Sequence, residues 1–452
     1  MEENKMGIVP VPKLLFSMSL PAICSMLLQA LYNVVDSIFV SRISEDALAA
    51  ITLVFPMQMF LMAVGIGTGV GLNSLIARRL GEKRQDAADS AATHGMLLVV
   101  FNSIVFLLIG LFTSRPFYSW YSDDPALVDM ATHYGQIVLC VSCFLFLQTT
   151  CEKILQGSGN MIMPMVSNMI GCVVNIVLDP ILIFGLLGAP EMGVIGAAVA
   201  TVIGQACGCA AVFYCVIKKQ NIIHISFKNF KFSWTAIKDI YVVALPGMVM
   251  QAIPSFVNIF LNMILITFSV TAVSVMGVYF RLQSFVFMPV FGLCQGSMPI
   301  MGYNYGARNR KRLVHTIHLT LKVSITIMAI GLIIFQLFPD QLLAIFDASP
   351  QMLHMGRNAM RLLSICFVPA AIGVSFSNLF QALGHGIYSL IMTLIRQLFV
   401  ILPVAYFLSQ TIGVDGVWAS FPIAEAAGLT TAILFYRHVY RKEISVLPDG
   451  ND

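Results

Sequence analysis

The chain has 452 residues, of which 58% are hydrophobic and 11% charged, with a net charge of +4 and a mean hydropathy of +0.85. Soluble domains carry roughly 25% charged residues, so this composition excludes a soluble globular protein and points to an integral membrane one. Apolar runs recur from Leu14 to Tyr436, each near the ~20 residues that cross a bilayer core. The loops between them are short and leave no room for a large soluble domain.

The N-terminal stretch MEENKMGIVPVPKLLF lacks a strongly basic start and a short apolar region ending in small residues, so the first apolar segment is expected to remain as a span. Downstream, the basic runs are RRLGEKR (78–84), KKQNIIHISFKNFKF (218–232), GARNRKR (306–312) and RHVYRK (437–442), whereas YSDDPALVD (121–129) and FPDQLLAIFDASP (338–350) are acidic. The positive-inside rule makes the basic loops cytoplasmic and the acidic ones external. The basic runs therefore read as a topology signal, and no nucleic-acid partner is expected.

Threading the chain through these constraints predicts spans at 14–40, 46–77, 91–114, 127–156, 162–187, 193–217, 238–268, 272–303, 312–338, 351–382, 386–410 and 414–440. The expected fold class is an all-α integral membrane protein of twelve transmembrane helices, with both termini cytoplasmic. The ten cysteines lie mostly inside the spans without a CxxC or a metal-ligand spacing, so they read as reduced packing residues. No resident cofactor is expected.

An internal repeat underlies the spans. Leu20-Pro21 recurs as Leu245-Pro246, an offset of 225, and the same offset carries Asn33 to Asn258, Phe55 to Phe280, Gly67 to Gly292, Gly81 to Gly306 and Gln156-x-x-Gly159 to Gln381-x-x-Gly384. Near the end it falls to 220, where GVIGAAVA (193–200) aligns with GVDGVWAS (413–420). Six spans per half, an even number, make both halves enter the membrane in the same direction. The expected organisation is an N-terminal six-helix lobe (1–217), a cytoplasmic linker (218–237), a C-terminal six-helix lobe (238–440) and a cytoplasmic tail (441–452). The lobes are expected to be related by a pseudo-twofold axis along the membrane normal, as in transporters that work by alternating access.

Polar side chains inside the spans mark candidate sites, because an ionisable group there costs about 2.5 to 3.5 kcal/mol on insertion scales. Ser25, Gln29, Asn33 and Asp36 fall on one stripe of the first span. A polar packing seam accounts for Gln29 and Asn33 but poorly for Asp36. In NIVLDPILIFG (175–185), Asn175 and Asp179 share a helix face, and Pro180 weakens the helix beside them. Asp179 either caps a broken helix or faces a water-filled cavity together with Asp36. In the second case one carboxyl exchanges protons, or the pair holds Na⁺ with Asn175 and a nearby threonine such as Thr201.

The acids belong to one half only, since the offset maps Asp36 to Leu261, Asn175 to Val400 and Asp179 to Val404. The second half carries Arg281, Arg396 and Glu425 in its spans, which read first as a structural or gating network and second as substrate contacts. Glu152, beside Lys153, reads either as an interfacial ion pair or as a proton relay. Met288 with Phe280, Phe285 and Phe287 suits an adaptable apolar cavity, although such side chains more often serve packing or lipid contact. His315 and His318 fall near the cytoplasmic end of a span.

The Asp36 stretch, GIGTGVGLNSLIARRLGEKR (65–84), LQGSGN (155–160), NIVLDPILIFG followed by GVIGAAVAT (193–201), and GLCQGSMPIMGYNYGARN (292–309) resemble the multidrug and toxic compound extrusion (MATE) family over nearly the whole chain. QSFVFMPVFGLCQG (283–296) and FPIAEAAG (421–428) are more similar to its MepA-like bacterial branch than to its NorM-like one. The resemblance implies a two-lobed, twelve-helix antiporter of the bacterial inner membrane that exports cationic or amphiphilic compounds, including drugs, in exchange for H⁺ or Na⁺. It also implies that the N-lobe cation site of the family falls on Asp36, Asn175 and Asp179, with the family's threonine on Thr201. The NorM-like acid of the seventh span has no counterpart in PGMVMQAIPSFVNIF (246–260).

Beside this reading stands a flippase for lipid-linked compounds or oligosaccharides of the same broad superfamily. An enzyme is not expected, because no catalytic set converges and the eight histidines form no HExxH. The expected partners are small organic cations and membrane lipids, and the expected state is a monomer.

Overall fold

A computed structural model describes residues 4–449 except 42–44, 122, 220–221, 228–229 and 347–348; the side chains of 33–41, 45–48, 121 and 219 also lie outside the described residues. In chain order the long helices are α1 (Val11–Ser41), α2 (Glu45–Gly81), α3 (Gln85–Phe112), α4 (Pro125–Cys140 then Cys143–Gly157), α5 (Ile162–Phe184), α6 (Gly193–Tyr214), α7 (Trp234–Ile266), α8 (Val270–Gly306), α9 (Arg310–Leu337), α10 (Pro350–Ser364 then Phe367–Leu383), α11 (Gly386–Ile412) and α12 (Val414–Val439). Each predicted span holds one of them, and no strand occurs among the described residues.

Two spans differ from expectation. α4 bends by 41° and α10 by 45° at two-residue breaks. The breaks fall at the same place in both halves to within one residue, at 141–142 and 365–366, and neither contains Pro or Gly. The repeat is also visible in the helix limits. α2 and α8 differ by 225 at both ends (270 − 45 and 306 − 81), as do α3 and α9 (310 − 85 and 337 − 112).

Local chemistry sets these limits. Ser269 accepts from the Ala272 N–H (3.0 Å) and Asn309 from the Arg312 N–H (3.1 Å), so side chains cap α8 and α9. Asp124 caps α4 and Ser349 caps α10, each followed by a proline whose missing N–H costs nothing at a helix start. The repeated Gln-x-x-Gly ends α4 and α10 with Gly159 (φ 94°) and Gly384 (φ 92°), the left-handed conformation that glycine adopts without strain. Between α9 and α10, Asp340 accepts two hydrogen bonds from Arg357 of α10, which hold its carboxyl below the usual range.

The chain forms two compact units, Cys24–Met248 and Met1–Ile23 with Val249–Asp452. In the first, Phe106 packs between Phe60 and Phe146 at 5.4 Å from each. The segment before α7 is held against α3 in the same unit. Gln85 donates to the Ile222 carbonyl, Asp89 accepts from the His224 N–H (2.9 Å), and His94 Nε2 accepts from the Ser233 N–H (2.9 Å). In the second unit, Phe367 packs against Phe287 (5.6 Å) and Phe335 (5.0 Å), which adjoins Tyr279. There Arg312 donates to the carbonyls of Met6 and Val9 and fixes the N-terminal segment.

α5 and α6 approach closely along an antiparallel seam. Gly171 and Gly204 let the two backbones touch. A Cβ on Gly204 would lie 2.7 Å from the Gly171 oxygen, and one on Gly171 would lie 3.2 Å from the Gly204 oxygen. One end of the seam is tied by Ser167, whose hydroxyl donates to the Gly208 carbonyl (2.9 Å). Small residues at such spacing are how helices pack in lipid, where no hydrophobic effect draws them together. Gly204→Val should cost about 1–3 kcal/mol through overpacking and lower the melting temperature in detergent, whereas Ile203→Val on the exposed side should leave it unchanged.

Candidate functional site

The α5–α6 seam decides which polar groups meet. Asn175 lies one turn beyond Gly171, and Thr201 lies one turn before Gly204, so close backbone contact at the glycines brings their side chains together. With the amide oriented so that both of its ends are satisfied, Asn175 Nδ2 donates to Asp179 Oδ2 at 2.7 Å. Its Oδ1 then accepts from the Thr201 N–H at 3.0 Å, with the Thr201 hydroxyl at 3.3 Å. The Thr201 hydroxyl also approaches the Ala197 carbonyl at 2.9 Å. Asp179 is fully buried and Asn175 nearly so.

Three of the four residues expected to form the cation site thus meet in one unit, with the Asn175 amide N–H turned to the Asp179 carboxylate and its oxygen turned to Thr201. The fourth, Asp36, and its neighbour Asn33 have side chains outside the described residues. Gln29 is exposed on α1 and makes no hydrogen bond among the described residues.

A second buried cluster continues along the seam, and sequence reasoning did not connect it. Glu152 Oε1 accepts from Gln148 Nε2 (3.1 Å) and lies 3.3 Å from the hydroxyl of Ser167, the residue two turns before Asn175 on α5. The expected ion pair with Lys153 is not formed. Adjacent residues on a helix point in different directions, and Lys153 Nζ donates instead to Gln156 Oε1 (2.8 Å). The available signal was the i, i+4 spacing of Gln148 and Glu152, which places both on one face.

In the other unit Arg396 Nη1 donates to Glu425 Oε1 at 2.8 Å, with side-chain exposures of 19% and 15%. Two features build this pair. A π-helical turn at Ile395–Val400 re-aims Arg396 within α11. Gly428, three residues past Glu425 on α12, leaves space for the arginine stem, since a Cβ there would sit 3.0 Å from Arg396 Cδ. The expected network stops at this pair. Arg281 is exposed on α8 and joins no ion pair among the described residues, and Met288 is half-buried two turns further on.

A comparison with protein families matches the MatE family at residues 21–181 and 246–407, which covers both repeats. Among known proteins, the chain is 26% identical to the multidrug export protein MepA of Staphylococcus aureus, over 94% of this chain and 93% of the relative. It is 25% identical to a protein of Shewanella oneidensis named FAD transporter, over 92% of each. Among solved structures, one described as the outward-facing conformation of a multidrug resistance MATE family transporter of the MOP superfamily matches with a TM-score of 0.91 and 28% identity over 99% of each chain. An equal match is a MOP superfamily transporter from Pyrococcus furiosus whose reverse polarity of the binding pocket is said to suggest a different function.

The Arg396–Glu425 pair is directly testable. Removing one partner strands a charge away from water, a loss of roughly 3–5 kcal/mol for a buried pair. Arg396→Met should therefore lower the melting temperature more than the double change Arg396→Met/Glu425→Leu, which removes both charges.

Proposed function

The chain belongs to the MatE family, and on that premise we propose that it is a secondary antiporter exporting cationic or amphiphilic organic compounds in exchange for H⁺ or Na⁺. The observation that carries this reading is the buried Asp179, Asn175 and Thr201 set at the α5–α6 seam. A carboxylate held there by an amide is a place where a small cation can be taken up and released. Asp36 on α1 would complete the ligand set. Membership of a multidrug-exporting family and the similarity to MepA support the substrate class. The basic loops favour a cytoplasmic membrane with both termini inside, and the working unit is taken to be the monomer.

In the cycle, the outward-open state loads the coupling cation at Asp36 and Asp179, which disfavours substrate. The inward-open state releases that cation and accepts substrate. One charge crossing 100 mV is worth about 2.3 kcal/mol, and about 1.4 kcal/mol is a tenfold ratio. Exchange of one H⁺ for one monovalent organic cation moves no net charge and draws only on the chemical gradient of the ion. A second carboxylate lets the site carry a second charge and recruit the membrane potential, which gives both acids a role.

A second reading, an anionic or lipid-linked substrate carried by a flippase-like cycle, draws support from the relative named FAD transporter and from the exposed Arg281. Counterflow in proteoliposomes separates the two. Wild type should accumulate ethidium or tetraphenylphosphonium when either a pH or a Na⁺ gradient is imposed alone, and the gradient that works names the ion. Asp36→Asn and Asp179→Asn should each abolish the gradient-driven component while leaving gradient-free dye binding within a few-fold. Failure of wild type to move either dye under both gradients would remove the multidrug reading and favour the second.

A further inference from the structure

One face of α9 is unlike its counterpart in the other half of the repeat. Lys311, His315, His318 and Lys322 are all exposed, and their spacings of four, three and four residues place them on one stripe. The stripe continues without a break into Thr326, Ile330, Ile333 and Leu337, the last three 54%, 55% and 65% exposed. The opposite face of the helix, including Leu313, Ile317, Met328 and Phe335, is buried.

An exposed apolar stripe on a membrane span faces lipid. The stretch that bears Lys311 and Lys322 lies on the same stripe, so it faces lipid as well. From Leu337 back to His318 is 19 residues, about 29 Å at ~1.5 Å per residue, which fills the ~30 Å hydrocarbon core. Lys311 and His315 then stand at headgroup level and His318 at its boundary, and Lys322 reaches the same level by extending its stem along the helix.

Beside this end of α9 is an open, shallow cavity of ≈ 660 Å³ whose lining includes Arg310, Lys311, His315 and His318 together with Tyr440 and Asp449. Arg310 is shared with the Asp449 carboxylate at 3.6 Å, and its backbone N–H is already taken by the Pro448 carbonyl (3.1 Å). The lysines of the stripe, Lys311 and Lys322, carry the formal positive charge of this face. The fold does not require that charge, because an offset of 225 matches Lys311, His315, His318 and Lys322 with Asp86, Ser90, Thr93 and Leu97 on α3, a helix of the same 28-residue length.

We propose that the Lys311, His315, His318 and Lys322 face of α9, with the adjoining cavity, binds the phosphate-bearing headgroup of an anionic phospholipid. Charge complementarity supplies the attraction, and continuity with the lipid-facing half of the helix supplies the acyl chains. A basic pocket at one end of a span is the setting in which such headgroups are held. This site is separate from the Asp179 set and stands whether or not the transport reading is correct.

Native mass spectrometry of the full-length protein, exchanged into detergent with equimolar phosphatidylglycerol and phosphatidylcholine, tests the proposal. Wild type should retain phosphatidylglycerol in preference, and Lys311→Gln/Lys322→Gln should reduce that preference on the order of tenfold. His315→Lys/His318→Lys should strengthen it. Equal retention of the two lipids by wild type would overturn the proposal, as would an equal loss in Lys231→Gln/Lys238→Gln, which removes two exposed lysines elsewhere. Thermal stabilisation by inorganic phosphate matching that by phosphatidylglycerol, and lost in Lys311→Gln/Lys322→Gln, would assign the site to free phosphate and overturn the lipid reading.

Discussion

The backbone contact between Gly171 and Gly204 is the constraint on which the candidate site depends. In lipid, two apolar helices gain nothing by hiding hydrocarbon from hydrocarbon, so α5 and α6 are held by close van der Waals contact and a few interhelical hydrogen bonds. That approach brings Asn175 into reach of Thr201, and Asn175 in turn presents its amide to Asp179. The same seam carries Ser167, which connects Gly208 to the Gln148–Glu152 cluster. Polar groups spaced along one helix are thereby given partners on another, and the cost of burying each is offset by its neighbour. Widening the seam by one side chain would disturb all of them together.

Much of this was legible in the chain. Hydropathy located twelve spans because a ~20-residue apolar run has few alternatives in a bilayer, and the offset of 225 reappears in the limits of α2, α3, α8 and α9. Asn175 and Asp179 could be paired because their spacing is purely helical. Thr201 lies on a different helix, and its partnership depends on where glycines allow two backbones to meet, which a single residue's identity does not reveal. The breaks in α4 and α10 were invisible for a related reason. They contain no proline or glycine, so nothing local announces them. Glu152 and Lys153 suggested a pair by adjacency, which on a helix is the wrong geometry.

The repeat gives one scaffold twice and different chemistry on each copy. The half that carries Asp179 has no Arg–Glu pair at the corresponding place, and the half that carries Arg396 and Glu425 has Leu261, Val400 and Val404 where the acids and amide would fall. The two pairs are also built by different devices. Asn175 and Asp179 sit on an α-helix that carries Pro180 beside them, next to a glycine seam, whereas Arg396 needs a π-helical turn and the space left by Gly428. α9 and α3 diverge in the same way on their outer faces while keeping equal lengths. Shared helix limits with unshared polar residues are what a duplicated fold shows when its core is constrained and its charged groups are free to specialise.

The segment preceding α7 is attached to α3 by a particular kind of bond. Gln85, Asp89 and His94 all reach backbone atoms of that segment, namely the Ile222 carbonyl and the N–H groups of His224 and Ser233. Backbone groups are the same whatever residue carries them, so these three hydrogen bonds place little demand on the side chains of the segment, and its side-chain contribution is the packing of Phe230 and Phe232 on the His94 ring at 4.7 and 5.8 Å. Apart from those two aromatic positions, the hydrogen bonds themselves would tolerate changes of composition and charge in the connection. Its signature would be read on the helix that holds it, in a Gln, an Asp and a His spaced four and five residues apart, and not on the strand of chain being held.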